Sequence, residues 1–194
     1  EEGGATYHTK YNTWQFSRGQ EGDPWMGQVA DPEIPEGALG VKFFSGTSDK
    51  VAPLWRQEWI NREFMKQEAQ QPQAQTFAKG LDFIRRNADT DRWFLQLETF
   101  DPHEPFFTQQ KYKDDYPHGY DGPHFDWPPY GTSDRTPDQD EHVRQEYAAL
   151  VTMCDEYLGK VLNMMDELKM WNDTMLIVNT DHGYLLGEHN WWAK

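Results

Sequence analysis

The sequence of 194 residues has the length of one ordinary domain, or of a large part of a bigger one. Its 33 acidic residues outnumber 18 lysines and arginines, and the formal net charge of −15 excludes nucleic-acid binding through a basic face. One cysteine excludes an internal disulfide framework and a thiolate zinc cluster, and no apolar run approaches the roughly 20 residues of a membrane span.

The first half of the chain combines irregular segments with two predicted helices. Residues 1–50 are rich in glycine, proline and polar aromatics without a sustained period, so we predict irregular structure there. Apolar spacing predicts helices over 54–70 and 73–87, and the short apolar run at 93–98 predicts a strand. Residues 101–137 form a long loop whose aromatic content favours a functional role over disorder.

The second half begins with the strongest helical pattern in the sequence. Apolar residues recur along one face from 138 to 169, and acidic residues crowd the start of this stretch, as the helix dipole favours. Cys154 lies on the apolar face, so we predict a small buried hydrophobe there and not a nucleophile. The run 174–179 predicts a strand buried on both faces, and a helix followed by such a strand is typical of an α/β fold.

Polar side chains follow both predicted strands, where ligands of open α/β sheets bind. His103 lies in a Pro-His-Glu-Pro segment after the first strand, and Asp181 and His182 directly follow the second. An adjacent Asp and His can present a carboxylate oxygen and an imidazole nitrogen to one divalent cation. Each feature also has an ordinary interpretation: a capping pair for Asp181 and His182, a turn residue for His103, and a solvated side chain for Lys194.

The order of these segments resembles the sulfatase branch of the alkaline-phosphatase-like superfamily. The similarity lies in the run FLQLETFDPHEPF, the long helix after it, and the final stretch TMLIVNTDHGYLLGEHNWWAK. The segments EEGGATYHT and RGQEGDPW are similar to bacterial sulfatases. The resemblance implies an αβα sandwich, with residues 1–194 as the middle-to-late part of one catalytic domain. It also implies that 101–137 is an active-site loop and that 138–194 carries the metal motif.

The resemblance implies a divalent metal bound by Asp181 and His182. Calcium is the ion expected from the family. Many sulfatases have Asn at the position of His182, and an imidazole ligand suits transition metals better than calcium, so manganese stays open as the alternative.

The resemblance also implies residues that contact the substrate. His103 and Lys194 correspond to catalytic side chains that bind the sulfate group. His124, together with Trp127, is expected to form a wall of the substrate pocket, and His189 is expected at the edge of the site.

The nucleophile of the family has no counterpart in this sequence. It is a formylglycine made from Cys or Ser in a Cys/Ser-x-Pro/Ala-x-Arg segment, and none of the cysteine or serine positions here has that context. We therefore expect an internal fragment with an incomplete sandwich that is inactive alone. Its strand at 174–179 would lack neighbours, and an unpaired apolar strand promotes self-association.

Three functions are compatible with these observations. The leading hypothesis is a sulfuric ester hydrolase that acts on a small-molecule or carbohydrate sulfate ester. The Asp-His pair also resembles phosphonate monoester and phosphodiester hydrolases of the same superfamily. The third hypothesis is a non-catalytic module that binds a cation or a glycan through the aromatic loop. The sequence leaves the compartment open, although a single cysteine leans toward the cytoplasm.

Overall fold

The computed structural model describes residues 7–39 and 53–194. In the first range, a 3-10 turn at Tyr7–Lys10 is followed by irregular backbone. The rest of the segment predicted to be irregular, 1–6 and 40–50, lies outside the described residues. The regular elements are α1 (Pro53–Arg62), α2 (Pro72–Asn87), α3 (Gln110–Lys113), β1 (Gly131–Thr132), α4 (Pro137–Glu167), β2 (Leu185–Leu186) and β3 (Trp191–Ala193), with further 3-10 turns at Glu68–Gln70, Met170–Asn172 and Glu188–Asn190.

Helix α1 is shorter than the helix predicted over 54–70. The backbone N–H groups of residues 63–65 each donate to the carbonyl three residues earlier, and this tighter 3-10 pattern ends the helix. The buried side chain of Asn61 donates to the carbonyls of Gly19 at 2.9 Å and Asp23 at 2.8 Å. The end of α1 is therefore bonded to the N-terminal irregular segment.

Helix α2 starts with a proline and places one face against the core. Pro72 lies in the first turn, where a helix needs no donor from its backbone nitrogen. Phe77 and Ile84 are buried on the same face. A Cβ atom on Gly80 would lie 2.2 Å from Cδ2 of Leu97. The segment that contains Leu97 therefore packs directly on the backbone of the helix.

Helix α4 is stabilised at its start by a capping box. The Gln139 backbone N–H donates to Thr136 Oγ1 at 3.4 Å, and the Thr136 backbone N–H donates to Oε1 of Gln139 at 3.1 Å. At 31 residues it is the longest helix of the protein. No helix within 7–39 and 53–194 has an apolar stretch long enough to cross a membrane.

The buried face of α4 is rotated from the apolar face predicted for it. Val151 and Leu162, which belong to the predicted face, are 39% and 36% exposed. Tyr157 is buried instead, because Phe77 of α2 packs against it with ring centroids 5.4 Å apart. Cys154 is half-buried, and burial raises the pKa of its thiol. A protonated thiol in this position is a poor nucleophile.

Aromatic side chains from outside the helices complete the core. Phe106 and Phe125, from the long loop, and Trp192 of β3 are almost fully buried against α2 and α4. Trp192 also donates from Nε1 to Asp140 Oδ1 at 2.9 Å. This hydrogen bond joins the first turn of α4 to the sheet.

The three strands form one antiparallel sheet in the order β1–β3–β2. The paired residues are Gly131 with Trp192, Thr132 with Trp191, Leu185 with Ala193, and Leu186 with Trp192. Because β3 is paired on both sides, the position of Lys194, which directly follows it, is well defined.

The segments predicted as strands, 93–98 and 174–179, have no strand partner within the described residues. Burial alternates along all of 93–98, whereas in 174–179 it alternates only as far as Ile177 and the next two residues are also exposed. Phe94 is 74% exposed although its neighbours pack on the core, and Ile177 is 72% exposed although Leu176 packs on the core. The prediction that 174–179 is buried on both faces is wrong, because the described residues cover only one of its faces.

Candidate active site

The loop after 93–98 and the end of β3 bring together two residues that are 91 positions apart. The Lys194 ammonium contacts Nε2 of His103. The His103 backbone N–H donates to the Phe100 carbonyl at 3.1 Å, and the two rings have centroids 4.2 Å apart. The structure thus joins the two side chains that the resemblance associates with the sulfate group.

Glu104 supports the opposite side of the His103 ring. Its side chain is 1% exposed. Nδ1 of His103 lies 2.7 Å from the Glu104 carbonyl oxygen and 3.1 Å from the carboxylate Oε2. Because Nδ1 faces these acceptors, we assign the ring proton to Nδ1, which leaves the Nε2 lone pair facing Lys194.

Tyr130 holds the Glu104 carboxylate from the other end. Its hydroxyl donates to Glu104 Oε1 at 2.5 Å. Burial, and then the hydrogen bond to Glu104, raise the pKa of Tyr130, so the hydroxyl stays a donor at neutral pH. The Lys194 ammonium also lies 5.9 Å from the centroid of the Tyr130 ring. Four side chains are therefore connected in one chain of contacts.

The Glu21 side chain comes from the N-terminal irregular segment and lies beside His103 and Glu104. One carboxylate oxygen from each of Glu21 and Glu104 and one ring nitrogen of His103 all lie within 4.8 Å of one another. Within 7–39 and 53–194, no other group of three such potential ligands comes this close together. Burial raises the pKa of Glu21, the charge of His103 opposes that shift, and the charge of Glu104 adds to it.

Asp181 and His182 form a second, more exposed pair. Asp181 Oδ1 accepts the His182 backbone N–H at 2.9 Å, and its Oδ2 lies 3.5 Å from His182 Nε2. That backbone hydrogen bond lowers the pKa of Asp181, and the charges of His182 and Lys194 lower it further. A carboxylate oxygen and a ring nitrogen at this spacing fit part of a divalent metal site. No third ligand side chain joins them in the described part of the chain.

His124 contacts side chains that do not belong to the group around His103. Its Nε2 lies 3.1 Å from Asp126 Oδ2 and 3.3 Å from Arg62 Nη1, and its ring packs on Trp59 with centroids 5.2 Å apart. Trp127 is only 2% exposed and belongs to a separate apolar cluster, so its side chain fills the interior and does not form the expected pocket wall.

His189 lies in the 3-10 turn between β2 and β3, with a left-handed φ of 56° and an exposed side chain. Its role at the site edge stays a prediction, as does substrate contact by His124.

Five residues meet around His103, and three of them were not predicted as site residues: Glu21, Glu104 and Tyr130. Glu104 had a visible signal, because it directly follows His103 in the Pro-His-Glu-Pro segment. Tyr130 and Glu21 lie in irregular segments without a periodic pattern, and no spacing in the sequence connects them to His103. Only the folded chain reveals that they meet.

Comparison with known proteins identifies the family. A family model described as Sulfatase matches residues 4–193. The chain is 42% identical to human iduronate 2-sulfatase over 52 residues, which are 27% of this chain and 10% of that protein. It is 26% identical to the arylsulfatase of Clostridium perfringens over 153 residues, a match that covers 70% of this chain and 31% of that protein. It is 40% identical to the multifunctional alkaline phosphatase superfamily protein PehA of Trinickia caryophylli over 52 residues, a match that covers 27% of this chain and 10% of that protein.

The matched part of the chain spans less than a third of the length of each of these relatives. No solved structure matches the chain. The family model nevertheless extends over nearly all of it, and an α/β fold is what this family implies. The chain therefore belongs to the sulfatase family of the alkaline-phosphatase-like superfamily.

Proposed function

We propose that this chain supplies part of the active site of a sulfuric ester hydrolase. In this proposal His103 and Lys194 contact the sulfate group, and Asp181 and His182 hold the divalent metal. The contact between Lys194 and His103 is the observation that carries the proposal. Two nitrogen-bearing side chains from distant segments converge there, and such convergence suits a tetrahedral anion with several oxygens.

Lys194 brings a positive charge to the place where negative charge develops. An ammonium group has three donors, and only one is needed for the contact with His103 Nε2. The other donors are free for sulfate oxygens. As the ester bond breaks, its electron pair goes to the leaving oxygen, and a fixed cation beside the sulfate group stabilises the negative charge that develops there. A bound divalent ion supplies the same kind of charge stabilisation.

Glu104 acts in this proposal as a positioning residue. Its backbone carbonyl holds Nδ1 of His103, and Tyr130 holds its carboxylate. The imidazole therefore keeps Nε2 directed at Lys194, and the two groups are arranged before substrate binds.

The remaining parts of the site are proposed to come from segments outside this chain. These are the formylglycine nucleophile, further metal ligands, and the strands that complete an αβα sandwich around 93–98 and 174–179. The high exposure of Phe94 and Ile177 supports this view, because apolar strand faces are normally covered. We expect the chain alone to be inactive and to self-associate, which light scattering would detect.

The proposal is tested by kinetics of the protein with its complete catalytic domain. Replacing His103 or Lys194 with alanine should each lower kcat/KM toward an aryl sulfate about 100- to 1,000-fold, the usual cost of losing one charge-stabilising group. Lys66→Ala, at an exposed lysine paired only with Glu63, is the matched control and should leave kcat/KM unchanged. Wild-type rates in both site variants would contradict the proposal.

A phosphonate monoester or phosphodiester hydrolase is the second candidate. His182 supports it, since an imidazole ligand suits manganese better than calcium. The similarity to PehA, which is named a multifunctional member of the superfamily, also supports it. Rates of the same enzyme on a matched aryl sulfate and aryl phosphodiester, each with calcium or manganese, decide between the two ester classes.

A further inference from the structure

We propose that Glu21, His103 and Glu104 form a second cation site, separate from Asp181 and His182, that binds a first-row transition-metal ion. Binding of this ion releases Lys194 from His103. The site goes beyond the proposed ester hydrolysis and does not depend on it.

The spacing of the donor atoms supports the site. Nδ1 of His103 and Oε2 of Glu104 are 3.1 Å apart. Two neighbouring ligands around an ion with bonds of about 2.1 Å lie roughly 3 Å apart, so one ion can reach both atoms. A carboxylate oxygen of Glu21 completes a group of three within 4.8 Å.

A buried oxygen without a donor points into this group. Glu104 is 1% exposed, and although Tyr130 donates to Oε1, Oε2 accepts no hydrogen bond, because His103 Nδ1, 3.1 Å away, bonds instead to the Glu104 carbonyl oxygen at 2.7 Å. A buried carboxylate oxygen without a partner costs free energy, and nearly all such atoms in folded proteins are satisfied. A bound cation would satisfy this one.

The donor set indicates the class of ion. One imidazole and two carboxylates are typical of zinc, manganese or iron, whereas calcium prefers six to eight oxygens. Two carboxylates also balance the charge of a divalent ion. Access is open, because His103 and Glu21 are only partly buried.

The ion and the Lys194 contact exclude each other. Without metal, the proton on Nδ1 leaves the Nε2 lone pair to accept from Lys194. A metal on Nδ1 requires the ring proton to move to Nε2, and an N–H group then faces the ammonium. Two donors cannot bond each other, and the two positive charges repel, so Lys194 must turn away.

The test is a Zn²⁺ titration of this chain by calorimetry, with Co²⁺ absorption as an independent readout. We expect one ion per chain. Glu21→Gln and Glu104→Gln should each raise the Kd about tenfold or more, and Lys194→Met should lower it because a competing cation is removed. Glu21 is a partly exposed position, so its variant keeps the test decisive if the Glu104 variant does not fold.

Three controls separate this site from others. Glu36→Gln changes an exposed carboxylate, and Asp181→Ala changes the proposed catalytic metal pair. His118→Ala removes one ring of a pair of histidines, in which His118 Nε2 lies 2.6 Å from His142 Nδ1. All three should retain the wild-type Kd. Absence of Zn²⁺ binding, unchanged binding in Glu21→Gln, or loss of binding in any control would overturn the proposal. No turnover is measured, so this result and that of the kinetic experiment are independent.

Discussion

Among the described residues, two clusters of charged side chains contain a buried carboxylate, and they differ in how exposed the neighbouring cation is. In the first, Arg62 is 5% exposed and lies between Glu58, with Nε to Oε1 at 2.9 Å, and Asp126, with Nη1 to Oδ2 at 2.8 Å. The rings of Trp59 and Phe107 cover the guanidinium at 4.6 and 4.7 Å. We call this the Arg62 cluster.

The second, the His103 cluster, consists of Glu21, His103, Glu104, Tyr130 and Lys194. Its cation is exposed, whereas its carboxylate is buried with one oxygen unpaired.

The difference separates a structural role from a functional one. The Arg62 cluster connects segments: Glu58, which pairs with Arg62, also accepts the Gly22 backbone N–H at 3.0 Å. The Arg62 guanidinium is enclosed by rings and carboxylates, so a ligand from solvent cannot reach it, although Arg62 Nη2 and Asp126 Oδ1 have no hydrogen-bond partner. In the His103 cluster the Lys194 ammonium is exposed and His103 and Glu21 are only partly buried, so an anionic substrate or a metal ion can reach these groups.

Loss of Arg62 should produce the largest change in stability. Arg62→Met leaves two buried carboxylates without a cation and should lower the free energy of unfolding by about 3–5 kcal/mol. Arg86→Met is the matched control, because Arg86 pairs with Asp82 at the surface, and it should cost less than about 1 kcal/mol. Both values come from urea denaturation. If both variants lose the same free energy of unfolding, the buried Arg62 cluster stabilises the protein no more than a surface ion pair does.

Loss of the Tyr130 hydroxyl should have an intermediate effect. Tyr130→Phe leaves Glu104 Oε1 without its donor, and a hydrogen bond to a buried charged group contributes about 2 kcal/mol. Tyr116→Phe removes a bond of 2.7 Å to the neutral Thr152 hydroxyl and should cost about 1 kcal/mol. If Tyr130→Phe costs no more than Tyr116→Phe, Glu104 is not held as a charged group.

Acid should weaken the Arg62 cluster through Asp126. Burial alone would raise the pKa of Asp126, but the charge of Arg62 and the hydrogen bond to His124 lower it well below its ordinary value. The unfolded chain therefore binds this proton first as the pH falls below about 4, and stability decreases by at most about 1.4 kcal/mol per pH unit. The free energy of unfolding of Asp126→Asn should depend less steeply on pH than that of the wild type. Equal slopes in the two proteins would show that Asp126 is not the source of the acid sensitivity.

The smallest effect is expected at Asp181, whose side chain is 85% exposed. Its hydrogen bond is to the next residue only, so it links no distant segments. Asp181→Ala should unfold at the same urea concentration as the wild type. A midpoint shifted as far as that of Tyr130→Phe would show that Asp181 has a structural role that its contacts do not reveal.

Local patterns in the sequence predicted the elements whose stability is local. Helix α2 spans Pro72–Asn87 against the predicted 73–87, and α4 spans Pro137–Glu167 against 138–169, because helical spacing, a proline start and a capping box act over a few residues. The hydrogen bond from Asn61, at the end of α1, to the Gly19 carbonyl was not predictable, because Gly19 lies about forty residues earlier. Strand pairing also depends on distant partners, so 93–98 and 174–179 were predicted as strands without evidence of a neighbour.

The same limit applies to the site. His103 and Lys194 could be selected from the resemblance, but their contact depends on the position of β3. Glu21 could not be selected at all, because a single glutamate in an irregular segment carries no signal. The sequence therefore supplied His103 and Lys194 as candidates, whose role stays a prediction, and the folded chain was needed to identify the carboxylates near them.

The anchoring of Trp192 has a consequence for the order of folding. Lys194 reaches His103 only after β3 is paired on both sides and Trp192 is bonded to Asp140, 52 residues away. Contacts between residues this distant in sequence form slowly, because loop-closure entropy is lost before they are made. Helix α4 depends on contacts within the helix and can form early, whereas we expect the contact between Lys194 and His103 to form late in folding.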